Sequence, residues 1–154
     1  MDLKTPLLAL QTALAASVVT AWTIAAGNVH FDPIPTEPET LPTGVTSALP
    51  AAWIQLVSLT PSYDASNARA ARDASHSVTF DIAGVFALPV IGTVQATKIA
   101  KLQDLLDVLT VATDYRYGGY PYRVGEIDFE SPFDSIEETY SVRIQFSVEV
   151  ITDG

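Results

Sequence analysis

Residues 140–150 alternate without a break. Tyr140, Val142, Ile144, Phe146, Val148 and Val150 take one parity, and Ser141, Arg143, Gln145, Ser147 and Glu149 take the other. Successive side chains of a strand point to opposite faces, so one face of this segment is apolar and the other polar. β-Branched and aromatic side chains in that pattern predict a strand. At about 3.4 Å per residue it reaches roughly 37 Å, which is long for a strand. It therefore requires partners of similar length and an apolar layer across its buried face.

The rest of the chain supplies both. Leu3, Leu7, Leu10, Leu14 and Val18 form one helical stripe, predicting a mostly buried helix over 5–19 with Thr5 as its cap and Pro6 in its first turn. Residues 19–24 either continue this helix or start an edge strand. Five prolines between 28 and 50 exclude a helix or a central strand there and predict a proline-rich arm, either a polyproline-like linker or an ordered segment lying against its own domain or a neighbour. Residues 52–59 form an apolar run of strand length. Residues 77–86 alternate, with Val78, Phe80 and Ile82 inward and Gly84 as a candidate bulge. The connection 60–76 is long for a hairpin, and either a solvated insertion or a functional protrusion fits it.

A second helix is predicted over 97–109. Thr97 is its cap, Ile99, Leu102, Leu105, Leu106 and Leu109 form its buried stripe, and Lys98, Lys101, Gln103, Asp104 and Asp107 face away. Gly118-Gly119 marks a turn, and 123–130 reads as a strand with Ile127 and Phe129 inward. Helix, strand, strand, helix, strand, strand predicts an α+β fold. Its antiparallel-rich sheet has four or more strands, both amphipathic helices pack on one face, and a single domain covers 1–154.

Chemistry is sparse in this sequence. It has no Cys and two His, His30 and His76, and it lacks the HExxH, GxSxG, phosphate-loop and GxGxxG patterns. The expectation is a protein that is not an enzyme and that needs no metal or cofactor. Eighteen acidic against eight basic residues give a formal charge of -10, a poor start for general nucleic-acid binding. The densest acidic stretch, Glu126, Asp128, Glu130, Asp134, Glu137 and Glu138, lacks the ligand spacing of a calcium loop and reads as a wet strand face plus a turn. Tyr115, Tyr117, Tyr120 and Tyr122 are read as packing around a turn, as subunit-interface anchors or as stacking platforms. Arg69 and Arg72, in the long connection, make it a candidate docking loop for an acidic partner. No charged residue lies between Lys4 and Asp32, yet Gln11, Thr12, Ser17, Thr20 and Thr23 interrupt the apolar run. The expectation is neither a membrane span nor a signal peptide.

The two helices, the long-looped pair 52–59 and 77–86, and the closing pair 123–130 and 140–150 together resemble the tail terminator (tail-completion) proteins of long-tailed bacteriophages. The likeness is architectural and spans most of the chain, with the arm at 28–50 longer than that family implies. It implies a non-enzymatic virion protein, assembled in the host cytoplasm as a homo-oligomeric ring, most often a hexamer. The partners it implies are the tail tube protein and a neck or head-completion protein, with DNA passing through the lumen without specific binding. Other virion roles, head closure or tail tube, stay open. So does a secreted α+β binding module, which would require loss of the residues before about Gly27.

Overall fold

The computed structural model describes residues 2–31, 50–62, 73–87, 94–111, 115–128 and 139–153. The arm residues 32–49, the loop residues Arg69 and Arg72, and Phe129, Glu130, Asp134, Glu137 and Glu138 lie outside them. The alternating segment is the central strand. It extends over Thr139–Asp153 (β6) and pairs antiparallel along its whole length with Asp73–Ala87 (β3). On the far side of β3 lies Ala51–Ser62 (β2), also antiparallel, and beyond it the two-residue strand Val29–His30 (β1), parallel to β2. On the other side of β6 lie Tyr120–Asp128 (β5) and the short Arg116–Tyr117 (β4). The sheet is six-stranded, mixed and mostly antiparallel, in the order β1-β2-β3-β6-β5-β4, and the fold is α+β.

Two helices lie on one face, Lys4–Trp22 (α1) and Val94–Leu109 (α2). Leu10, Leu14, Val18 and Trp22 of α1 meet Leu102, Leu105 and Leu109 of α2 over Val78, Phe80, Ile82, Val142, Ile144, Phe146 and Val148. The Trp22 indole N–H donates to the Lys101 carbonyl at 2.9 Å, tying the end of α1 to the middle of α2. Residues 19–22 thus continue α1. The helix stops at Thr23, in the left-handed region at φ 53°, which turns the buried Ile24 back toward the core.

Several sequence expectations need correction. Thr5 does not cap α1; the helix begins at Lys4, and the Asp2 carboxylate accepts from the Thr5 N–H at 3.2 Å. Thr97 is not the cap of α2, which begins at Val94. Ile99 is 53% exposed while Lys98 is buried. The phase set by Leu102, Leu105 and Leu109 places position 98, four residues before Leu102, on the inner face; the long Lys stem tolerates burial there. Lys101 does not point away either, because its ammonium lies 4.9 Å from the centre of the Phe86 ring. Gly84 is not a bulge. It pairs regularly with Ala52 and Val142, and a Cβ there would stand 2.6 Å from the Trp22 ring, so only glycine lets the indole lie on the strand. The bulges fall at Val57 in β2 and at Gly125–Glu126 in β5. The strands β2 and β3 also run farther than expected, reaching Ser62 and starting at Asp73, so 63–72 remains as their connection.

Candidate interaction surface

The tight β4–β5 hairpin turns on Gly118 and Gly119, both at positive φ (57° and 85°), the backbone a two-residue hairpin demands. This turn places Tyr117 directly opposite Tyr120. Tyr122, two residues on, shares their face.

That face is the helix-covered one. Tyr117 is buried with its ring edge-on to Phe146 at 5.2 Å, and its hydroxyl lies 2.9 Å from Ser17 Oγ. Ser17 Oγ already donates to the Ala13 carbonyl at 3.0 Å, so Tyr117 is the donor of the pair. Burial pushes the Tyr117 phenol above its ordinary 10.0, and the Ser17 hydrogen bond offsets part of that rise. Tyr122 stacks on Phe146 with ring centres 5.4 Å apart. Tyr120 is half-buried, and Tyr115, at φ 55°, leaves the pattern and is 82% exposed. Of the four tyrosines proposed as interface anchors, Tyr117 and Tyr122 support the core, and Tyr115 and Tyr120 present surface.

Beside Tyr120 runs an apolar groove of about 520 Å³ between the first half of α1 and the hairpin. Pro6, Ala9, Leu10 and Ala13 form one wall, Tyr120 and Ile151 the other. The hairpin comes close to α1 at Gly118, where a Cβ would stand 3.3 Å from the Leu10 side chain. α1 is long and apolar enough to cross a membrane by length and composition, while its Leu10, Leu14, Val18 and Trp22 face is held in the core.

The sheet face turned away from the helices is polar toward one end. Thr79 and Ser147 share a hydrogen bond at 2.8 Å, Ser75 donates to Glu149, and Arg143 donates to the buried Asp81 carboxylate. Asp81 Oδ1 has no hydrogen-bond partner. Glu126 and Asp128, the described members of the acidic stretch, line a shallow hollow of about 180 Å³ with Arg143 and Gln145. Among the described residues no three His, Asp or Glu converge as metal ligands. His76 is buried on the inner face opposite Val150, and His30 packs its ring on Trp53 at 5.5 Å.

Sequence reading missed the groove. The hint was the run of Ala and Thr between the α1 core positions, where a helix meant for water would carry charge. Neither a protein-family model nor a curated protein sequence matches the chain.

Proposed function

We propose that this chain is a ring-forming structural subunit of a virion, of the tail-terminator type, which caps a tail tube and offers the surface that joins the head. The observation that carries the reading is the order and length of the elements: α1, the long β2–β3 hairpin, α2, then β5 and the central β6. This is the succession that the resemblance implies. The apolar groove and exposed Tyr115 add surface suited to protein contact. A formal charge of -10 suits a lumen through which DNA moves without being held. Its partners in this reading are copies of itself, a tail tube protein and a neck protein; it acts without catalysis, cofactor or membrane.

Electron microscopy of the purified protein, with native mass spectrometry, tests the proposal. Closed rings, six-fold by expectation, are the supporting result. Open filaments would move the chain to the tail-tube role. Monomers at the highest soluble concentration, together with failure to cap tubes, would overturn the reading.

A further inference from the structure

Besides the two-residue β1, two described elements of this acidic chain are nearly or wholly without charge: α1, which has none beyond Lys4, and β2. By contrast α2, β3, β5 and β6 each carry Asp, Glu, Lys or Arg. Copies of a chain with charge -10 repel one another, so they meet most readily where carboxylates are fewest.

The two elements differ in what they present. α1 contributes the wall of the 520 Å³ groove, whose one carboxylate, Asp2, sits at the helix start with its pKa lowered by the Thr5 hydrogen bonds. β2 contributes an apolar patch. β1 covers β2 only at Ala52 and Trp53, and farther along, beside the bulge at Val57, Leu56 and Val57 are 43% and 46% exposed. A bulge and the nearby Pro61 disfavour strand addition at this edge, which leaves the side chains as the contact. The patch and the groove lie on opposite sides of β3, the patch on β2 and the groove beside β6 and the β4–β5 hairpin.

We infer that Leu56 and Val57 of one copy dock in the groove formed by Pro6, Ala9, Ala13, Tyr120 and Ile151 of a second copy. Because the two surfaces are different, the contact is head-to-tail and propagates from copy to copy, closing into a ring or continuing as a filament. The inference rests on the ring-subunit reading for closure alone; the pairing of surfaces stands on their apolar exposure and the scarcity of charge there.

The absence of cysteine makes a direct test available. Val57→Cys and Ala9→Cys are made singly and together in the full chain, both at exposed positions, and treated with a short bismaleimide. Circular dichroism checks that each variant is folded. The double variant should give a ladder of covalent multimers on a denaturing gel, and each single variant should stay monomeric. Cross-linking of Val57→Cys alone would mean that like surfaces meet, and would overturn the inference. A wild-type assembly in native mass spectrometry with no ladder from the double variant would overturn it while leaving the ring reading intact. A wild-type chain that never associates would overturn both. As an independent arm, Val57→Lys and Ala9→Glu should each weaken assembly about tenfold or more, since a lone charge is buried in an apolar contact. Combining them should restore most of the loss; no restoration would place the two residues in different contacts.

Discussion

The two faces of the β3–β6 pair are built from the same residues' neighbours and behave differently. On the helix side, Phe80, Ile82, Val142, Ile144, Phe146 and Val148 are sealed beneath α1 and α2. On the opposite side, Ser75, Ser77, Thr79, Gln145 and Glu149 keep part of their surface in water. The opposite face is not uniform: Ala51, Trp53, Ala83, Val85 and Ser141 are buried there too, at the end where the Asp81–Arg143 pair begins. Alternation reports which face is apolar, and a continuous apolar run reports where both faces are closed. The chain shows both signals. Residues 75–81 alternate, and 82–86 do not.

The comparison breaks most sharply at Phe146, where the inner face is densest and the rings of Tyr117 and Tyr122 converge. Phe146→Ala should cost about 3–5 kcal/mol in urea unfolding, whereas its outward neighbour Gln145→Ala should cost less than about 0.5. Similar losses at the two positions would show that the faces are not distinct.

A smaller effect is expected on the other side of the sheet. Asp81 is buried, while the Arg143 side chain is one-third exposed, so the pair is neither a surface bridge nor fully dry. Asp81→Asn should cost about 1–2 kcal/mol, less than for a fully sealed pair because water screens the freed guanidinium. No change in the unfolding midpoint would mean that the pair contributes nothing to the closed end of this face.

Tyr117→Phe should have the smallest effect, about 1 kcal/mol at neutral pH, through the lost hydrogen bond to Ser17. It also sharpens the contrast by pH. Burial raises the Tyr117 and Tyr140 phenols, so folding favours their protonated forms. That contribution is complete below the ordinary value of 10.0 and is lost as pH rises through the folded-state values. Stability should therefore fall above about pH 10, and less steeply in Tyr117→Phe, with Tyr140 keeping the remainder. An unchanged alkaline slope in the variant would show that Tyr117 ionises as freely folded as unfolded.

The central strand, the β2–β3 pairing and both helices are legible in the sequence because each repeats one physical signal over many residues. Local choices are not. At α2, Ile99 and Lys98 compete for the inner face, and hydrophobicity alone picks the wrong one; the phase of Leu102, Leu105 and Leu109 picks the right one. Gly84 has the sequence look of a bulge, but its reason is the Trp22 ring, a contact across more than sixty positions that no local window contains. The tyrosines were half-legible. A two-residue turn on Gly118-Gly119 puts Tyr117, Tyr120 and Tyr122 on one face, and a shared face with Phe146 means core before it means surface. The groove could be seen only once α1 and the hairpin were side by side.

The placement of β6 has a consequence for how the protein comes into being. It follows the other five strands in sequence and is central in the sheet, and all fifteen residues of β3 pair with it. A nascent chain that has reached α2 holds a hairpin and two apolar helices but lacks the strand that joins β3 to β5. Its contacts are long-range, so loop closure is costly before any of them forms. Until Thr139–Asp153 leaves the ribosome, the exposed edge of β3 is a template for whatever strand comes near. Productive synthesis therefore depends on β6 arriving before a neighbouring chain does, and the yield of folded protein should fall with crowding of nascent chains on one message.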